Sequence, residues 1–184
     1  MILTDREIKI AIDRGLISIE PPPSDDVLYT STALDLRHDS RLRIYDPEVK
    51  GVDVVIDPSQ PGFNADATIT ALSHPETIVG DGFSLKPRIL ILAWTIEYVT
   101  IPTNARLAAR VEGKSSLARL GLGIHVTAPT IHAGFKGQIQ LEIVNHGPRP
   151  IRLRTGMRIC QLIFETTLGT PEKGYQGQFA GQKA

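Results

Sequence analysis

Cysteine is almost missing from this sequence. Cys160 is the single one among 184 residues, which excludes a disulfide framework and a cysteine-rich zinc site within one chain. Flanked by Ile159 and Leu162, it reads as a small buried apolar residue. Excess charge of either sign is missing too. Lys+Arg and Asp+Glu stand at 20 each, and such neutrality argues against a general nucleic-acid binder, which carries net positive charge. It leaves room for a small anion held by a local cluster. No apolar run approaches the length of a membrane span. The opening MILTDREIK lacks the basic and long apolar regions of a secretory signal. The expectation is a soluble cytoplasmic protein with neither nucleic-acid nor membrane partners. The length suits one domain, 1–184, with a real core.

Helix signals are scarce. Thr4-Asp5-Arg6-Glu7 has the form of a capping box, with Ile8, Ala11 and Ile12 at helical spacing and Gly15 as a stop. Pro21-Pro22-Pro23 forbids a longer helix. Beyond this point the apolar pattern shortens to period two or to brief Val/Ile/Leu runs. These predict strands at Ala33–Arg37, Arg41–Tyr45, Val52–Ile56, Ile89–Ala93, Thr95–Val99, Arg106–Val111, Gln138–Val144, Ile151–Leu153 and Arg158–Phe164. Many short strands with little helix predict a mainly β fold, an antiparallel barrel or sandwich. The tail 166–184 is rich in Gly and Gln, has no apolar period, and alone would be mobile.

Two motifs are incomplete. Gly113-Lys114-Ser115 ends like a P-loop, but the glycine required five residues earlier is Ala108. His74-Pro75-Glu76 matches the H-x-E half of a zinc deaminase signature, whose P-C-x-x-C half needs two cysteines. His74 reads as a loop residue after Ala71–Ser73. Any amine hydrolysis here must activate water without zinc.

Val111–Asn145 carries the remaining chemistry. Lys114, Ser115, Ser116 and Arg119 cluster closely, offering a point charge, compact hydroxyls and a planar fork of donors suited to a polyphosphate. The same spacing also suits a solvated turn leading into a short helix, SLARL. Downstream, Ile139, Leu141 and Ile143 alternate with Gln138, Gln140 and Glu142. Leu141 therefore faces the core and Glu142 the opposite side, beside Gln140. A carboxylate partly withdrawn from water beside the turn Gly134–Gly137 suits a general base, although an ordinary exposed strand carboxylate has the same pattern. His125 and His132 are the remaining candidates, as hydrogen-bonded structural residues or catalysts.

These segments resemble the dCTP deaminase branch of the dUTPase-like superfamily. MILTDREIKIAIDRGLISIEP, TSTALDLR, ILAWTIEYVTIP, VEGKSSLARLGLGIHVTA, IHAGFKGQIQLEIVNHG and LRTGMRICQLIFE occur in that family's order. The resemblance implies a distorted antiparallel β-barrel with a short N-terminal helix and few others, assembled as a homotrimer with active sites between subunits. It implies hydrolysis of dCTP to dUTP and ammonia, with no zinc and with Mg2+ riding on the triphosphate. Glu142 matches the catalytic glutamate, general base toward water and then proton courier. Ser115 and Arg119 match groups that orient the glutamate, water and phosphates, and Ala128 a residue acting through its backbone carbonyl. Lys114, Ser115, Ser116, Leu117, Ala118 and Arg119 match the triphosphate loop. Gln140, Leu141 and Glu142 match the strand that reads the base. Gln161 and Tyr175 match ligand contacts, and the tail matches a segment closing over the nucleotide through Gln178 and Gln182.

Three positions depart from the family pattern. Lys114 stands where the family has Arg, losing the bidentate fork. His132 stands where it has Asp, the carboxylate that activates water in the related dUTPases; an imidazole there can bond a sugar hydroxyl but disfavours diphosphate release. Gln178 stands where it has Lys. These departures fit a divergent deaminase or an altered substrate such as a modified deoxycytidine nucleotide. A dUTP diphosphatase, a bifunctional enzyme making dUMP, and a non-catalytic nucleotide-binding regulatory barrel are the alternatives.

Overall fold

The computed structural model describes residues 1–46 and 55–175. Helix α1 (Asp5–Asp13) opens the chain and buries Ile8 and Ala11. The capping box forms incompletely. Thr4 and Glu7 bond side chain to side chain, and the Thr4 hydroxyl caps no backbone amide. Gly15, at φ 68°, supplies the left-handed turn that ends the helix.

Strands β1 (Ser18–Glu20), β2 (Tyr29–Thr30) and β3 (Ala33–Tyr45) follow. Next come α2 (Ala65–Leu72), β4 (Ser73–Thr77), β5 (Phe83–Leu85), β6 (Leu90–Thr100) and β7 (Leu107–Gly113). The chain continues with α3 (Ser115–Ala118), β8 (Leu122–Gly123), β9 (Thr130–Ile131), β10 (Lys136–Asn145), β11 (Ile151–Leu153) and β12 (Arg158–Thr166).

The fold is mainly β, as expected. One curled antiparallel sheet runs β8-β10-β6-β3-β12-β7-β9, with β1 on β6 and β2 and β4 on β3, forming a half-barrel; β5 and β11 pair separately. The buried side chains of its strands meet in one core. Ile139, Leu141 and Ile143 of β10 join Ile91 of β6, Leu34 and Leu36 of β3, and Leu162 and Phe164 of β12. Each such side chain contributes about 1.5–3 kcal/mol by leaving water.

Two pairs of expected strands are single strands. Ala33–Arg37 and Arg41–Tyr45 are the two ends of β3, and Ile89–Ala93 and Thr95–Val99 merge into β6. The polar run His38-Asp39-Ser40 breaks the apolar pattern but not the extended backbone. There β3 changes partners, pairing with β12 through Arg37, with β6 from His38 and with β4 from Arg41. The expected Val52–Ile56 falls mostly outside the described residues, and Val55 and Ile56 belong to no strand. The sequence reading missed α2, although Asn64 caps it by accepting from the Ala67 amide at 3.0 Å. His74 lies on β4, not in a loop, because the end of β3 offers a pairing edge; its Nδ1 meets Asp46 Oδ1 at 2.7 Å.

One irregularity positions the site. The β10–β6 register shifts between Gln138 and Gln140. Inside this bulge the Thr95 hydroxyl accepts from the Ile139 amide at 3.1 Å and donates to the Glu97 carbonyl at 2.9 Å. A side-chain oxygen thus replaces a lost ladder acceptor, and the strand is re-aimed as bulges do.

Candidate active site

Downstream of the bulge the alternation holds. Leu141 is 1% exposed, while Gln140 and Glu142 turn to the other face and line a cavity of about 360 Å³. Ala128, His132 and Tyr175 line the same cavity. Five of the residues expected at the site therefore meet, though they come from three separate stretches of chain. Glu142 Oε2 accepts from the Val126 amide at 3.4 Å, which ties the carboxylate to the segment carrying Ala128. Burial, and secondarily the Glu142 carboxylate, push the Tyr45 phenol above its usual pKa, so the wall facing Glu142 stays neutral.

A polar brace holds the bulge at this cavity. Gln138 donates to the Thr95 carbonyl at 2.9 Å and accepts from Arg41 at 3.2 Å. The Arg41 guanidinium grips Asp39 at 2.9 and 2.6 Å, and the Arg41 amide donates to the same carboxylate at 3.0 Å. Burial alone would raise the Asp39 pKa, but the Arg41 bonds outweigh it and hold the carboxyl at about 2. Charge-assisted forks of this kind are strong and directional.

The start of the tail docks at the same cavity. The Tyr175 amide donates to the Ala133 carbonyl at 3.1 Å. The Tyr175 ring stacks on His132, with centroids 5.6 Å apart and planes 15° from parallel, and tilts against Phe135. Gly134 permits this contact: at φ +87°, a Cβ there would lie 2.8 Å from the Tyr175 nitrogen and 2.9 Å from Thr103 Oγ1. Gln178 and Gln182 lie outside the described residues.

The other half of the expected constellation is elsewhere on the chain. Lys114, Ser115, Ser116, Leu117, Ala118 and Arg119 do not line this cavity. Ser115 and Ser116 stand exposed on α3, and Arg119 stands exposed just after its end. Lys114 reaches inward, its Nζ 2.5 Å from Asp35 Oδ2, and Arg158 approaches the same oxygen at 3.4 Å. Gln161 is half-buried on β12, between Asp35 and Glu112 of the neighbouring strands. His125 faces Glu112 at 3.9 Å, away from the cavity lining. Cys160 is fully buried, and burial pushes its thiol far up, which makes it inert.

A larger hollow, about 660 Å³, lies between α1 and the ends of β7 and β12, among Leu3, Ile10 and Leu107. It is lined mostly by apolar side chains and contains none of the residues expected at the site, five of which line the smaller cavity. Sequence reasoning missed Tyr45, Ile69 and Leu92, which line that smaller cavity. Leu92 stands directly opposite Glu142 across the β10–β6 ladder; only the register reveals it.

Comparison with known proteins gives the family. A dCTP deaminase-like family model matches residues 2–167. The chain is 39% identical over 183 residues to the dUMP-forming dCTP deaminase of Sulfurihydrogenibium sp. (strain YO3AOP1), covering 100% of this chain and 93% of that one. It is 40% identical over 177 residues to the dCTP deaminase of Shewanella amazonensis, covering 95% and 88%. The crystal structure of 2'-deoxycytidine 5'-triphosphate deaminase from Agrobacterium tumefaciens superposes with a TM-score of 0.65 at 25% identity, over 90% of this chain and 48% of that longer one. With the match spanning nearly the whole length, from α1 to the end of β12, the chain belongs to the dCTP deaminase-like family.

Proposed function

We propose that this protein hydrolyses the 4-amino group of dCTP, releasing dUTP and ammonia, with Glu142 as the base. One observation carries the reading: Glu142, Gln140, Ala128, His132 and Tyr175 surround one cavity large enough for a nucleoside. Glu142 takes a proton from water as the oxygen bonds to C4, and passes it to N3. It then moves the second water proton to the amino group, which leaves as ammonia while the C4 carbonyl forms. Gln140 and the β10 backbone read the base edge, and the Ala128 carbonyl orients water. The nucleotide arrives with Mg2+ on its triphosphate, so the ion belongs to the substrate. The setting is the cytoplasm, where free nucleotides are available.

The site is completed by a second copy of the chain, in a trimer. Ser115 and Ser116 of α3, and Arg119 just after it, are exposed and outside the cavity, and the adjoining apolar Leu120 is 60% exposed. A neighbouring α3 would bring the phosphate-binding cluster, with Gln161, to the Glu142 of its partner. Residues 166–184 complete a single domain, 1–184; beyond the Tyr175 dock they close over the nucleotide through Gln178 and Gln182 and exclude water.

A second reading, release of dUMP and diphosphate, is favoured by the dUMP-forming names of the relatives from Sulfurihydrogenibium and Aquifex aeolicus. His132 stands against it, because an imidazole replaces the carboxylate that chemistry uses. Incubation with dCTP and Mg2+, followed by separation of dUTP from dUMP and assay of ammonia, decides between them. Glu142→Gln should abolish ammonia release while nucleotide still binds. Retained turnover would remove Glu142 from its role, and tight dCTP binding without ammonia from the unmodified protein would make it a non-catalytic binder.

A further inference from the structure

The cavity wall beside Glu142 is apolar. Leu92, 3% exposed, faces Glu142 directly across the ladder, and opposed pairs of this kind hold their Cβ atoms about 4.5–5.5 Å apart. Ile69 of α2 and Tyr45 line the same cavity, with Tyr45 near enough to Glu142 for the carboxylate to act on its phenol. The hydrolysis outlined above uses none of these three side chains.

Pyrimidine chemistry says which atom must face them. The ring neighbours of C4 are N3 and C5. N3 is a hydrogen-bonding atom and needs a polar partner, which Gln140 and the strand edge supply. C5 carries only hydrogen in cytosine. With the reacting C4 held at Glu142, the apolar corner is left for C5. The corner can also give way, because α2, which carries Ile69, contains no buried residue.

We infer that Leu92, Ile69 and Tyr45 form a subsite for an apolar substituent at C5, and that the enzyme deaminates 5-methyl-dCTP as well as dCTP. The stoichiometry is unchanged: water supplies the oxygen bonded to C4, the amino group departs as ammonia, and the product is thymidine triphosphate. The inference rests on Glu142 acting at C4.

The test compares dCTP and 5-methyl-dCTP on the full chain with Mg2+, reading ammonia and the nucleotide product. The expected kcat/KM values lie within about tenfold of one another, since an apolar pocket discriminates a single methyl only weakly. Ile69→Trp, on an unburied helix, fills the corner and should lower the ratio of 5-methyl-dCTP to dCTP turnover by about tenfold or more. Leu92→Phe should move the ratio the same way by a second route. Turnover of dCTP with 5-methyl-dCTP inert would overturn the subsite while sparing the reading of Glu142. An unmoved ratio in both variants would also overturn it, and failure on both substrates would overturn subsite and reading together.

Discussion

Replacing Lys114 by Met tests what anchors the loop that carries α3. The Lys114 ammonium sits 2.5 Å from an Asp35 carboxylate that is 0% exposed, and Asp35 Oδ1 has no partner among the described residues. Methionine keeps the stem of the lysine and removes the charge. Taking away one member of a buried pair costs about 3–5 kcal/mol. Arg158 still reaches the carboxylate at 3.4 Å, which argues for the low end, about 3 kcal/mol. For a chain of this size that corresponds to a melting point lower by about 6–12 °C. Urea unfolding at fixed protein concentration measures it. Adding Asp35→Leu should recover most of the loss, because both charges then leave the interior together. A loss below about 1 kcal/mol, or one that the second substitution does not repair, refutes the reasoning. So does intact stability with nucleotide KM raised about a hundredfold, a loss of about 2.7 kcal/mol in binding, which would make Lys114 the phosphate ligand its family position implies.

Asp39 sets an acid limit. Its folded pKa lies below its ordinary 3.8, at about 2, so its stabilisation is complete above about pH 4 and is lost as pH falls toward about 2. The shift corresponds to about 2.4 kcal/mol, reduced to about 1 kcal/mol because Arg41 is 42% exposed. Asp39→Asn should show that deficit near neutral pH and none near pH 2, and a deficit independent of pH would disprove the assignment. Gly134→Ala places a methyl against Tyr175 and Thr103; nucleotide KM should rise severalfold, and an unchanged KM would separate the tail dock from binding. Thr95→Val leaves the Ile139 amide without its acceptor, at a cost of about 1–3 kcal/mol. Its kcat should fall more than its KM changes, because the bulge aims Glu142; equal effects would count against that.

The architecture was legible where side-chain period and burial coincide. The alternation along Ile139–Ile143 gave both the strand and the face of Glu142, and the structure has both. Ile151–Leu153 matches β11 end for end. The reading failed where long-range pairing overrides local pattern. His38-Asp39-Ser40 looked like a break because the sequence does not reveal that β3 exchanges partners there. His74 looked like a loop because the edge it joins is distant in sequence. Leu92, Ile69 and Tyr45 carry no chemical signature, and their places at the cavity arise only from the long-range fold. Lys114 was legible as a cation, but its partner Asp35 was not.

The separation of the two clusters within one chain has a consequence that can be counted. Glu142 is fixed by the bulge of β10, and Arg119 by α3, whose first residue follows Lys114 and its bond to Asp35. Both supports are strand-anchored, so neither cluster can travel to the other. If a site pairs Glu142 of one copy with Arg119 of the next, Glu142→Gln and Arg119→Ala should each be inactive alone. Mixed chains, refolded together in equal amounts, should regain about a quarter of wild-type turnover, because one site in four then draws both intact residues from different copies. Were both residues needed from the same chain, no mixed site could hold an intact pair, and the mixture would stay as inactive as its parts.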